Sequence, residues 1–439
     1  MNSKFKIIAL AIIILVAASC NREKKSTDVL NTPSKVEVKQ VDGKYHFFVN
    51  DEIFEVKGVG GGGNLAFLHE SGGNALRTWG SNNGKQLLDT AYKYNLMVAM
   101  GLSMGQELHG FDYNDTAAVG KQFRNIKNAV DTYKNHPNIL CWVAGNELNL
   151  SPVQGTPVNP KVWDAVKEVV DYVHETDPNH PITTAFAGVS KSVVEVALEC
   201  CPDLDFLSFQ VYGGLGRIPD QAKTAGVTKP YAITEYGPVG HWEMPSTEWG
   251  REIEETSAVK ASGLWDRIQK GIVLDDSGLN LGGFAFVWGQ KQERTPTWYG
   301  MFIKSGESIA VVDELTRYWT GSYPENRAPK VDSLQIDGKV ATDNIYLKPG
   351  LEYTAKVFAS DPNDDTLKYV WIMLKEVVER SQGGAREIEP ENVPIEILSD
   401  ADGVIKFKSP SPGGEYRLFS YVYDGKNKVG TANTPFFVK

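Results

Sequence analysis

The chain has 439 residues, 41% of them apolar and 23% charged, and carries a net charge of −10. That length admits two or more domains with sizeable cores. The acidic balance argues against nucleic acid and against an anionic lipid surface as partners, because both need a basic face. The 10 Trp and 18 Tyr are numerous enough to supply both core and the flat amphipathic rings that bind sugar faces.

In chain order, the first segment is a targeting signal. Lys4 and Lys6 precede an apolar run from Ile7 to Val16, and Ala17-Ala18-Ser19 places small residues before Cys20. The run is too short for a spanning helix. Small residues followed at once by Cys resemble a bacterial lipoprotein signal, with residues 1–19 removed and Cys20 lipidated; an ordinary signal peptide is the alternative. Residues 20–34 are polar and read as a flexible tether. The expectation is an exported protein, lipid-anchored to a bacterial membrane, on the periplasmic or cell-surface face of the outer membrane. Of the other cysteines, Cys141 lies in an apolar run and reads as core. Cys200 and Cys201 read as free thiols at a helix end, so no disulfide framework is expected.

Residues 35–55 alternate in polarity around Asp42-Gly43 and Asn50-Asp51, a β-hairpin pattern. Eight short apolar runs follow: Phe54–Gly60, Asn74–Gly80, Met97–Ser103, Ile139–Glu147, Pro181–Gly188, Asp205–Gly213, Pro230–Gly237 and Gly282–Gly289. Amphipathic stretches separate them. The clearest starts at Asp115 as N-cap and sets Val119, Phe123, Ile126, Val130 and Tyr133 on one face; Pro160–Thr176 and Thr256–Leu274 read alike. Strands alternating with helices eight times predict an α/β fold, a parallel (β/α)8 TIM barrel, over residues 35–321 with the hairpin included. Residues 322–329 form a linker. Residues 330–439 change to short alternating segments with turn clusters, the pattern of an all-β sandwich.

In such a barrel the chemistry sits where strands end. The fourth strand ends Gly145-Asn146-Glu147 and the seventh ends Thr234-Glu235-Tyr236. Two carboxyl groups facing one another across a barrel mouth suit glycosidic bond cleavage, which takes one acid to protonate the leaving oxygen and one nucleophile or base. A single strand-end Glu would more simply cap a helix or pair with a cation. Two of them with polar neighbours favour catalysis.

The stretches HPNILCWVAGNELN and PYAITEYG resemble the fourth- and seventh-strand motifs of clan A retaining glycoside hydrolases, closest to the barrel of glycoside hydrolase family 2. FEVKGVG and NALRTWG resemble its first two strands. The resemblance implies that Glu147 is the acid/base and Glu235 the nucleophile, that Asn146 meets the sugar 2-hydroxyl, and that Arg77 and Tyr212 bind the Glu235 carboxylate. It also implies that Trp288 forms a sugar-stacking floor, and it requires neither metal nor organic cofactor. DPNDDTLKYVW and YVYDGKNK resemble immunoglobulin- or PKD-like modules attached to secreted carbohydrate enzymes. Family 2 chains usually carry sandwich domains before the barrel, whereas here the sandwich follows. That layout is similar to some bacterial endo-β-1,3-glucanases and directs the substrate expectation to a β-glucan.

The loops add Trp79, His109, Trp242, Gln290 and Trp298 as candidate substrate contacts. Packing against the C-terminal segment is their alternative role. Two other functions use the same residues: a transglycosylase passing the intermediate to a sugar hydroxyl, and a glycan-binding lipoprotein without activity. Finally, KGVGGGGN (residues 57–64) contains G-x-G-x-x-G at Gly58, Gly60 and Gly63, a dinucleotide fingerprint. The next strand follows after about ten residues, at the lower limit for a crossover, and ends in Arg77-Thr78-Trp79 with no acidic residue to bind a ribose. No nucleotide is therefore expected, and the glycines read as one wall of a sugar site.

Overall fold

The computed structural model describes residues 32–382 and 384–439. The signal segment, Cys20 and most of the tether lie outside the described residues.

Strands β1 (Val36–Val41), β2 (Lys44–Val49) and β3 (Glu52–Phe54) form a small antiparallel sheet. Its turn residues Asp42, Gly43, Asn50 and Asp51 all take left-handed backbone, with φ of 51°, 82°, 51° and 66°. Asx and Gly tolerate that conformation best, and its twist matches the flanking strands. Val36 and Phe47 pack into the end of the barrel where strands begin, with the Phe47 ring edge-on to Phe206 at 5.2 Å. This sheet plugs the N-terminal end and leaves the opposite end for function. Phe54 belongs to β3, so the first barrel strand starts later than its apolar run suggests.

The barrel strands are β4 (Val56–Gly60), β5 (Ala75–Arg77), β6 (Met97–Leu102), β7 (Ile139–Asn146), β8 (Ile182–Ala187), β9 (Leu207–Gln210), β10 (Tyr231–Tyr236) and β11 (Asn280–Ala285). Each pairs in parallel with the next, and β11 closes onto β4. The fold is thus the expected eight-stranded parallel closed barrel. Asp115 caps the helix Thr116–Tyr133, accepting from the amides of Ala117 and Ala118; Ile126 and Val130 are the residues that this helix buries. The helix Lys161–Thr176 buries Val162, Trp163, Val166, Val169, Val170 and Val173 on one stripe. At about 1.5–3 kcal/mol for each large apolar side chain, that stripe holds the helix to the strands far better than intrinsic propensity would. The predicted Thr256–Leu274 helix is α from Ser257 to Ile268 and then a π-turn, Gln269–Val273.

The C-terminal residues form two sheets. β12 (Lys330–Ile336), β14 (Glu352–Ser360), β18 (Val404–Lys408) and β17 (Glu396–Ala401) make one; β13 (Tyr346–Leu347), β20 (Val429–Val438), β19 (Gly414–Tyr423), β15 (Lys368–Lys375) and β16 (Asn392–Val393) make the other. Val331, Val357 and Phe407 of the first share one core with Trp371, Leu418 and Phe436 of the second. Two inner faces contributing alternate residues to one core is the packing of stacked sheets.

This unit is tied to the barrel by buried polar contacts. Lys428 pairs with Asp313, Asn433 Nδ2 donates to Glu254 Oε2 at 2.5 Å, and Arg417 Nη2 donates to the Glu252 carbonyl at 2.8 Å. Buried charges left without such partners would cost several kcal/mol each, so these contacts fix the position of the C-terminal unit.

Candidate active site

At the C-terminal end of the strands lies an open cleft of ≈ 2110 Å³, lined from seven of the eight strands or their loops. Glu235, near the end of β10, is 5% exposed at its floor. Four donors converge on its carboxyl group. Arg77 Nη1 (2.7 Å), Trp79 Nε1 (2.6 Å) and Gln210 Nε2 (3.1 Å) donate to Oε1, and the Tyr212 hydroxyl donates to Oε2 at 2.9 Å. The guanidinium, indole and amide N–H groups can only donate, so Oε1 accepts from all three.

Arg77 closes β5 and is fully buried. Its second nitrogen, Nη2, donates to Asn146 Oδ1 at 2.6 Å, and Gln210 Nε2 donates to the same oxygen at 2.6 Å. The Asn146 oxygen is thereby committed to protein, and its NH2 is the end left to face the cleft. Gln106 Nε2 holds the Asn146 carbonyl from the other side at 2.5 Å.

Glu147 follows directly. Its backbone is left-handed, with φ of 49°, and its amide donates to the Ala185 carbonyl at 2.8 Å. A non-glycine residue in this conformation costs roughly 1–2 kcal/mol, here offset by surrounding contacts. The turn lifts the side chain into the cleft, where burial and then the charge of Glu235 push its pKa up to about 8, with Arg77 pulling the other way. One cleft therefore holds a carboxyl group pushed toward its protonated form beside a second one ringed by hydrogen-bond donors, the asymmetry that acid/base and nucleophilic roles need.

A third acidic group, Glu293, stands beside them. Burial alone would raise the Glu293 pKa, but His241 Nε2 at 3.5 Å and Lys291 Nζ at 2.6 Å reverse this and leave it lowered. Trp242 stands 61% exposed at the rim, edge-on to Tyr212, and Gln290 lines the cleft with its buried Nε2 lacking a hydrogen-bond partner among the described residues. His109 also lines the cleft, with Nε2 3.0 Å from the Gln382 carbonyl.

Two candidates stand elsewhere. Trp288 is 1% exposed; its ring packs on Phe302 and Phe67, and it is not part of the cleft wall. Trp298, 2% exposed, donates to the Val239 carbonyl and is likewise behind the wall. The expected stacking floor at Trp288 is thus corrected to a packing role. The role came from the resemblance alone: β11 ends at Ala285, four residues before the predicted Gly289, so Trp288 lies beyond the paired strand.

The glycine run is corrected as well. Cβ atoms at Gly58 and Gly60 would meet the Phe284 ring at 2.4 Å and Trp79 at 3.1 Å, and one at Gly61, with φ of 109°, would meet the Trp288 carbonyl at 3.0 Å. None of Gly58 to Gly63 lines the cleft. These glycines make room for protein atoms, the indole that binds Glu235 among them, and not for a sugar ring. Gln210 and Gln106 are the residues that sequence reasoning passed over. Gln210 carried the same signal as Arg77, a polar side chain closing an apolar strand. Among the described residues, one group of potential metal ligands, Asp361, Asp365 and Asp424, comes together, and none of the three lines the cleft.

Residues 66–275 match the family model for the glycosyl hydrolases family 2 TIM barrel domain. The matched stretch contains Arg77, Asn146, Glu147, Tyr212 and Glu235. The chain is 23% identical over 266 residues to "Probable mannan endo-1,4-beta-mannosidase C" of Aspergillus terreus, covering 52% of this chain and 63% of that protein. Among solved structures it is similar to Bacteroides uniformis β-glucuronidase 2, with TM-score 0.51 and 14% identity, covering 91% of this chain and 48% of that one. It is also similar to Faecalibacterium prausnitzii β-glucuronidase, with TM-score 0.51 and 15% identity, covering 66% and 52%. The chain thus spans less than two thirds of the length of these relatives, and at such identity the structural likeness speaks for the fold.

Proposed function

We propose that the protein is a retaining glycoside hydrolase that cleaves β-linkages within a neutral oligo- or polysaccharide. The observation that carries this is the pairing of a protonated Glu147 with the four-donor carboxylate of Glu235 in one cleft.

Glu147 gives its proton to the glycosidic oxygen as the bond to the anomeric carbon breaks, and a Glu235 oxygen bonds that carbon from the opposite face. Glu147, now a carboxylate, takes a proton from water. The water oxygen displaces Glu235 and restores both groups, with net retention. The free NH2 of Asn146 is placed to bind the sugar 2-hydroxyl, a contact that strengthens as charge develops at the neighbouring carbon. Trp242 supplies an exposed ring for a sugar face.

Cleft size favours a substrate of several sugars, since sites for small ligands usually enclose about 300–1,000 Å³. Charge favours a neutral one. The lining holds five glutamates (147, 235, 243, 252, 293) against Arg217, Lys291 and Arg294, and Lys291 and Arg294 are already paired with Glu293 and Glu252. A β-glucan follows from the module layout, and the mannanase relative makes β-mannan the next candidate. We further propose export as a lipoprotein through Cys20, and an immunoglobulin-like identity for the C-terminal sheets. A polysaccharide screen of the soluble chain from Lys35, with Glu147→Gln and Glu235→Gln as controls, tests the activity; turnover surviving in both variants would sink the assignment.

A further inference from the structure

Between β15 and β16 the C-terminal unit sends out a connection whose residues Gln382, Gly384 and Ala385 line the catalytic cleft. They are distant in sequence from every other lining residue and come from a different unit. Their placement is built, not incidental. Glu387, 5% exposed, accepts from the Arg294 amide (2.7 Å), Arg294 Nη1 (3.1 Å) and Gln292 Nε2 (3.1 Å), all on the loop after β11. Arg294 has left-handed backbone, with φ of 61°, so the Glu387 carboxylate holds the amide of a strained residue at the cleft rim. On the other side, His109 in the loop after β6 meets the Gln382 carbonyl at 3.0 Å.

The topology shows what gap this fills. Around the barrel β11 is followed by β4, β5 and β6. The connections leaving β4 and β5 are only Gly61–Asn64 and Thr78–Asn83 before their helices begin, too short to raise a rim. The C-terminal connection runs from the β11 loop to the β6 loop across that low side, where Arg77 and Trp79 hold Glu235. We infer that the C-terminal unit is part of the substrate site, its Gln382, Gly384 and Ala385 forming a wall that binds a sugar unit of the chain beyond the one attacked at Glu235. The wall's chemistry suits a neutral glycan. The exposed Gln382 amide offers both donor and acceptor to hydroxyls, and Gly384, with no side chain, lets a ring approach the peptide groups.

This inference rests on the glycosidase reading and is separable from it. The probes are 4-nitrophenyl β-glucoside and β-mannoside, which occupy little beyond the cleaved linkage, and β-1,3-glucotetraose and β-1,4-mannotetraose. Gln382→Ala keeps the backbone carbonyl that His109 meets, so its fold is preserved; Glu387→Gln tests the latch. We expect the KM for the cleaved tetraose to rise about tenfold in Gln382→Ala, the size of one lost polar contact, with a much smaller change for the aryl glycoside. Glu387→Gln should shift the same ratio in the same direction. Equal changes on both substrate types in Gln382→Ala overturn the inference while leaving the glycosidase reading intact. A wild-type protein inactive on all four probes contradicts the reading and the inference together.

Discussion

Arg77 and Glu235 form a buried ion pair across the barrel floor, with Nη1 2.7 Å from Oε1 and side chains 0% and 7% exposed. β5 delivers the cation and β10 the anion, and the second terminal nitrogen of the guanidinium, Nη2, orients Asn146. One side chain thereby positions two of the three groups that the chemistry needs.

Replacing Arg77 by Met leaves that carboxylate buried without its cation. A broken buried pair costs about 3–5 kcal/mol, which for a barrel of this size is a fall in Tm on the order of 10 °C. Activity should fall by at least about a hundredfold, because Asn146 loses its anchor as well. Lys does not substitute, since one ammonium cannot reach both partners in a planar fork. Differential scanning calorimetry and kcat/KM of Arg77→Lys and Arg77→Met check both expectations.

Glu147, raised to about 8, sets an alkaline limb. Above that pH it is deprotonated and cannot give a proton to the leaving oxygen, so kcat/KM should fall through pH 8. In Glu147→Gln the limb should vanish, with residual turnover confined to aryl glycosides whose leaving groups need no proton. Stability follows the same group. Because its folded pKa lies above the unfolded one, the native state binds the extra proton between about pH 4.5 and 8, and this contribution to stability is lost as pH rises through that window. Denaturant midpoints of wild type and Glu147→Gln across the window should diverge with rising pH.

Asn146→Ala should lower kcat/KM by about 10²–10³ on a substrate with a 2-hydroxyl and far less on the matching 2-deoxy glycoside. Equal losses on the two would place Asn146 elsewhere in the mechanism.

The tryptophans separate packing from binding. Trp288→Ala, in a ring cluster with Phe67 and Phe302, should cost about 3–5 kcal/mol, with KM unchanged in the folded fraction. Trp242→Ala, at an exposed ring, should leave Tm within about 1 °C, as for a surface change, yet raise the KM for oligosaccharides. The reverse pattern would restore Trp288 as the sugar platform.

How legible all this was in the sequence follows from which signals are local. The eight strands announce themselves as apolar runs because both faces of a parallel barrel are covered. Glu147, Glu235 and Arg77 stand out by ending such runs in polar side chains. Gln210 ended one too, but lay next to the more conspicuous Tyr212. The end of the last strand was not legible: nothing local marks Ala285 as the last paired residue of β11, and Trp288, given its role by resemblance, packs beyond it on Phe67 and Phe302. The glycines of β4 and of the loop that follows it report contacts with Phe284, Trp79 and Trp288, two of them partners from the far end of the barrel sequence. The Glu387–Arg294 latch spans 93 residues and two units, and no periodicity encodes it.

In the proposed mechanism Glu235 attacks the anomeric carbon and forms a covalent glycosyl intermediate. A 2-deoxy-2-fluoro glycosyl fluoride of the sugar found in the screen slows both steps and lets the intermediate accumulate. Mass spectrometry of the proteolysed protein should then find one glycosyl adduct, on the peptide carrying Glu235, with none in Glu235→Gln. An adduct on another residue, or turnover of a natural substrate to an inverted product without any adduct, would contradict the account.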